Sequence, residues 1–232
     1  MSFALRKVYD FVFVLPGFAI KPPGGYMVVF ELANDLQRNG YTVLIIFLGN
    51  LYHNLYKMTQ EAAILKRYRL SGLTSRIYEE ITLFFGQKNF HFFLNILKIL
   101  GYDVNEDALS LLKNFQFVVK NNIPKKLVTK RLIATGWETA YFVNEYRQKT
   151  IKYYLVQNSE DDVSFSGNLS YMATKTYSFP LKKIVINKVT QNRFAADQPI
   201  KITVASPVKA KLRADPKDRM GCVGYTTEKW RR

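Results

Sequence analysis

Near the start of the chain a strand, a glycine-bearing loop, a helix and a second strand follow one another within about forty residues, an order that permits very few topologies. Tyr9-Asp10-Phe11-Val12-Phe13-Val14-Leu15 reads as a buried strand, and Pro16-Gly17 ends it. A loop over 18–23 closes on Gly24-Gly25. Val28, Val29, Leu32, Ala33 and Leu36 then recur at helical spacing until Asn39-Gly40, where a glycine suits the end of a helix. Residues 41–47 form a second buried strand rich in β-branched side chains. Two strands joined through a helix lie parallel, with a right-handed crossover.

The remainder extends the same logic. Helical apolar spacing runs over 59–68, 73–85, 90–100 and 106–115, punctuated by Gly72, Gly86 and Gly101, and predicts a helical insertion from about 55 to 120. Strand signals resume at 131–135, 152–156, 184–187 and 200–205, with helices expected at 137–146 and 171–179. Strands alternating with helices predict an α/β fold with a doubly wound, mostly parallel sheet over residues 1–207. Residues 208–232 are polar and basic, and read as a linker or tail.

Composition removes several classes of chemistry. The chain has 232 residues, of which 48% are hydrophobic, enough for a sizeable core. Its single cysteine, Cys222, cannot form an internal disulfide or a multi-thiolate zinc site. His53 and His91 lie 38 positions apart without acidic neighbours, so neither a metal centre nor a histidine-based triad is expected. Arg6 and Lys7 precede an apolar stretch, but Asp10 interrupts it and no small-residue cleavage site follows; a first strand is expected there, not a signal peptide. No stretch approaches the roughly 18 apolar residues of a membrane span. A cytoplasmic protein is expected, peripheral at the inner face of the membrane.

The net charge of +16 fits an anionic membrane surface or a phosphorylated substrate. Nucleic acid is the third class charge allows, but there is no RNP signature, zinc-finger spacing or long basic helix to support it. The charge is densest near the end, where eight Lys or Arg stand against three acids over 205–232.

In a doubly wound sheet ligands bind beyond the carboxyl ends of the strands, and three polar clusters fall there. Gly24-Gly25 would expose backbone N–H groups at a helix start, either to a phosphate or merely as a capping turn; the spacing is neither GxGxxG nor a P-loop. Thr135-Gly136-Trp137-Glu138-Thr139 offers an indole face on which a sugar could stack, unless Trp137 belongs to the core. Gln157-Asn158-Ser159-Glu160-Asp161-Asp162 offers amides and carboxylates for sugar hydroxyls or for base catalysis, unless it is a solvated loop. No D-x-D triplet occurs.

The order of these pieces resembles the N-terminal domain of two-domain (GT-B) glycosyltransferases of family 4. The opening resemblance rests on Phe13-Val14-Leu15-Pro16-Gly17, Gly24-Gly25, Glu31-Leu32-Ala33 and Asn39-Gly40-Tyr41-Thr42-Val43. Three later stretches are more specific, and resemble bacterial S-layer and polysaccharide rhamnosyltransferases: Ala134-Thr135-Gly136-Trp137-Glu138-Thr139-Ala140-Tyr141, Lys152-Tyr153-Tyr154-Leu155-Val156-Gln157-Asn158-Ser159-Glu160 and Ala173-Thr174-Lys175-Thr176-Tyr177-Ser178-Phe179-Pro180-Leu181.

The resemblance implies a Rossmann-like half of a GT-B fold that transfers a sugar from a nucleotide donor, dTDP-rhamnose in those relatives, to a growing glycan, with no metal or other cofactor. It implies that Gly24 and Gly25 lie against the donor diphosphate, and that Trp137, Glu138, Gln157, Asn158 and Glu160 face the acceptor cleft. Asn158 stands where those enzymes carry an aspartate, and an amide cannot act as a base. The donor-binding second domain is expected to be missing, so the resemblance implies inactivity without such a domain or subunit. The competing expectation is a truncated, non-catalytic remnant that binds a glycan or a partner protein.

Overall fold

The computed structural model describes residues 8–19, 22–49, 95, 98, 99, 101, 116–120, 122–157 and 168–185. Its centre is a six-stranded sheet of β1 (Val8–Leu15), β2 (Val43–Leu48), β3 (Gln116–Lys120), β4 (Val128–Ala134), β5 (Ile151–Val156) and β6 (Lys182–Val185). The strands lie in the order β3-β2-β1-β4-β5-β6, and every neighbouring pair is parallel. The chain thus builds outward from β1 to one side and then from β4 to the other, the doubly wound, Rossmann-like arrangement.

The helix α1 (Gly24–Arg38) packs on one face of the sheet, where Val29, Phe30 and Ala33 join Phe13, Leu15, Ile45 and Phe47. Phe47 is the hub of this layer, with the rings of Phe18, Tyr26, Phe30 and Phe117 around it at 5.3 to 6.4 Å. The helix ends as its sequence suggests. Gly40 has φ 83°, its N–H bonds to the Gln37 carbonyl, and the Tyr41 N–H reaches back to Leu36. This paired closure satisfies carbonyls that the helix leaves open, and it needs a residue at ease with positive φ.

On the opposite face lie α2 (Trp137–Glu145) and α3 (Asn168–Thr176). Ala140, Phe142, Val143, Met172 and Ala173 meet Val12, Val14, Leu44, Ile46 and Tyr154 there. The connection into β4 crosses the same face, with Ile123 and Leu127 in its core. β1 and β2 are apolar on both sides because both faces are covered, which is why their sequences lack alternation.

Five of the six expected strands are present, with ends shifted by at most three residues. The sixth, at 200–205, lies outside the described residues, as does most of the expected insertion; residues 95, 98 and 99 are helical, and Gly101 follows them at φ 80°. The range of about 55–120 for that insertion runs too far, since Gln116–Lys120 is the edge strand β3. The expected helix at 171–179 sits earlier, at Asn168–Thr176. Pro180 disfavours helical geometry just before it, and the N–H groups of Tyr177, Ser178 and Phe179 make tighter i to i−3 bonds instead.

Candidate functional site

β1 and β4 lie side by side at the centre of the sheet, with Val14 opposite Ala134. Beyond that point the chain leaves in opposite directions. After β1 it turns to α1 on one face, and after β4 it turns at once into α2 on the other. Such a divergence leaves a crevice at the carboxyl ends of the strands.

The β1 wall of the crevice is held by Tyr26, whose hydroxyl donates to the Gly17 carbonyl at 2.7 Å and pins the loop against the start of α1. Gly24 and Gly25 are the first two residues of α1 and are half-buried. Pro23 precedes them without a side-chain cap, and the first turn carries no acidic residue. A helix start of this kind presents backbone N–H groups and a positive dipole end to an anion.

The β4 wall is organised by Thr139. Its hydroxyl accepts the Thr135 N–H at 3.0 Å and the Gly136 N–H at 3.1 Å, and donates to the Gly136 carbonyl at 2.9 Å. The Thr135 hydroxyl donates to Val14 O at 2.8 Å and ties this turn to β1. Those two N–H groups are therefore committed to the turn. Glu138 stands in the first turn of α2 and makes that helix start unfavourable for a second anion. Of the two helix starts at the crevice, α1 is the one suited to phosphate.

The structure brings Gly24, Gly25, Trp137, Glu138 and Gln157 to the same end of the sheet. Trp137 corrects an expectation. It is 2% exposed, set edge-on to Tyr141 at 6.4 Å within the α2–α3 core, and presents no open indole face for a sugar. Helix starts after buried strands point inward as readily as outward, and the spacing of Trp137 with Ala140 and Tyr141 is that of a core face. Glu138 is half-buried, and Gln157, just past β5, is 7% exposed. Asn158 and Glu160 lie outside the described residues.

Thr139 belongs to the 135–139 cluster, but its part in holding the turn out of β4 has no signal in the sequence. Among the described residues no three His, Cys, Asp or Glu side chains come together as a metal site, and no helix is long and apolar enough to cross a membrane.

No known protein family matches the chain, and neither does any curated protein or solved structure.

Proposed function

We propose that the chain supplies the acceptor-side domain of a glycosyltransferase and receives the diphosphate of a nucleotide sugar at the start of α1. One observation carries this reading: the crevice between β1 and β4 has on one side a helix start made of Gly24 and Gly25, with no side-chain cap from Pro23 and no acidic residue in its own first turn. The motif resemblance along 134–141, 152–160 and 173–181 supports the sugar-transfer chemistry over other uses of the same crevice. The donor the resemblance favours is dTDP-rhamnose, whose rhamnosyl group passes to a growing glycan as dTDP leaves.

Transfer needs more than this crevice. Charge builds on the leaving diphosphate, and fixed donors around it supply most of the rate enhancement in reactions of this kind. A donor-binding domain or subunit would have to hold the base and ribose and close the cleft against water. Binding without transfer is a second reading, favoured by the burial of Trp137 and by an amide at position 158.

Titration calorimetry with dTDP, UDP and pyrophosphate tests the first step. All three bind if the diphosphate is the recognised group, and Gly25→Asp abolishes binding by placing a carboxylate at the helix start. Undiminished binding by a folded Gly25→Asp chain sinks the proposal. Release of nucleoside diphosphate from dTDP-rhamnose, with a lipid-linked glycan acceptor and a donor-binding domain added, separates transfer from binding alone.

A further inference from the structure

The opposite end of the sheet, where the strands begin, carries a different chemistry. The loops leading into β4 and β5 are locked side by side there, because the Tyr146 hydroxyl donates to the Leu127 carbonyl at 2.6 Å. Burial pushes the Tyr146 phenol up from its ordinary pKa, so it stays a donor through the physiological range. Each loop ends in an exposed aliphatic side chain, Val128 at 50% and Ile151 at 43%. Val8, in register with Val128, is 50% exposed as well. Tyr41 is 45% exposed beside them, edge-on to Phe11 at 5.3 Å, and the Arg131 guanidinium lies 4.7 Å over the same Phe11 ring.

Cations surround these side chains. Lys125 and Lys126 stand in one loop, Arg147 and Lys149 in the other, all exposed. Lys130 is paired with Asp10 at 2.7 Å, and Arg38 with Asp35 at 3.0 Å. Within these two loops Lys125, Lys126, Arg147 and Lys149 stand against one exposed acid nearby, Glu145 at the end of α2. Lys152 and Lys183 do not add to the patch. Their ammonium groups turn inward, to Asn144 O at 2.6 Å and to Phe179 O and Leu181 O at 3.3 and 3.4 Å.

We infer that this end of the sheet is a docking platform for an anionic lipid bilayer. Charge complementarity selects an anionic partner. The aliphatic and aromatic tips among the cations select a lipid interface over a nucleic-acid backbone, which offers nothing for Val8, Val128 and Ile151 to enter. Docked this way, the chain holds the crevice between β1 and β4 roughly 20–25 Å from the lipid, the length of a seven-residue strand. The inference is independent of what that crevice binds.

Flotation of the full chain with vesicles provides the test. Binding is expected to phosphatidylcholine mixed with phosphatidylglycerol, not to phosphatidylcholine alone, and to weaken with salt. The variant Lys125→Gln/Lys126→Gln/Arg147→Gln/Lys149→Gln should lose affinity on the order of fivefold per cation removed. Val128→Ser/Ile151→Ser should weaken binding without changing its salt dependence. Brominated lipids should quench the added indole of Ile151→Trp, a readout that needs no charge variant to fold. Wild-type affinity in the folded four-site variant overturns the proposal, as does unchanged quenching in Ile151→Trp. Equal binding to neutral vesicles overturns it too. So does tight binding of an oligonucleotide duplex with none to vesicles, which would make the platform a nucleic-acid surface. Self-association lost in Val128→Ser/Ile151→Ser, without vesicle binding, would make it an interface between copies.

Discussion

Asp10 and Thr42 are joined by four hydrogen bonds. The Asp10 carboxylate accepts the Thr42 N–H at 2.9 Å and its hydroxyl at 2.8 Å, while the Asp10 N–H is shared between Thr42 Oγ1 at 2.9 Å and the Thr42 carbonyl at 3.0 Å. With Lys130 on the other carboxylate oxygen, this stitches the beginnings of β1, β2 and β4 together.

A pH dependence follows. The Lys130 hydrogen bond, then those of Thr42, hold the Asp10 carboxyl well below the usual carboxylate range. A folded pKa below the unfolded one means stabilisation that is complete above the unfolded value of about 3.9 and is lost as the pH falls toward the folded value. Asp10→Asn should therefore lower the melting temperature at pH 7, and the gap to wild type should narrow below about pH 4. Melting curves at neutral and acid pH check this; a gap of equal size at both ends counts against the account.

Phe47 should be among the most sensitive core positions. Four rings close around it, and it is fully buried. Phe47→Ala is expected to cost about 3–5 kcal/mol, from lost transfer energy and the cavity left behind. Phe47→Leu should cost clearly less. Urea unfolding measures both, and a loss under about 1 kcal/mol for Phe47→Ala would show that the layer repacks freely.

How legible this fold was depended on where each element sits. β1 and β2 are central, covered on both faces, and reveal themselves as apolar runs, unbroken in β2 and from Phe11 onward in β1. β3 is an edge strand of five residues with Gln116 and Lys120 at its ends, and it follows an apolar stretch of helical period that masks it. The site was legible in position only. Gly24-Gly25 and Thr135-Gly136 mark where the chain leaves β1 and β4, because sharp departures need such residues. Side-chain direction was not legible. The spacing of Trp137 with Ala140 and Tyr141 allows a core face, but the core it joins includes Met172 and Ala173 of α3, far along the chain, and that pairing is not written near position 137.

Gly40 tests the helix ending. A Cβ there would meet nothing within 4 Å, so any cost comes from the backbone at φ 83° alone. Gly40→Ala should destabilise by about 1–2 kcal/mol, the penalty of the left-handed region for an ordinary residue. Gly40→Asn should cost less, since asparagine tolerates that region better. Equal stability of the alanine variant and wild type would mean that the turn relaxes out of this conformation.

The Thr139 hydroxyl offers the most direct test of the crevice. It is fully buried and is the acceptor for two backbone N–H groups at the turn out of β4. Thr139→Val keeps the shape of the side chain and removes the acceptor. Leaving a buried donor unsatisfied costs about 1–3 kcal/mol, so losing both partners should cost roughly 2–5 kcal/mol. Thr139→Ser retains the oxygen and loses one methyl, worth about 0.8 kcal/mol of burial plus a small cavity. The two variants should therefore separate in urea unfolding, with valine the worse. Amide hydrogen exchange gives a local readout: Thr135 and Gly136 should exchange faster in Thr139→Val and stay protected in Thr139→Ser. If dTDP binds in the crevice between β1 and β4, loosening this wall should weaken it in the valine variant even though α1 is untouched. Equal stability and equal protection in the two variants would show that the turn is held by something other than the Thr139 oxygen.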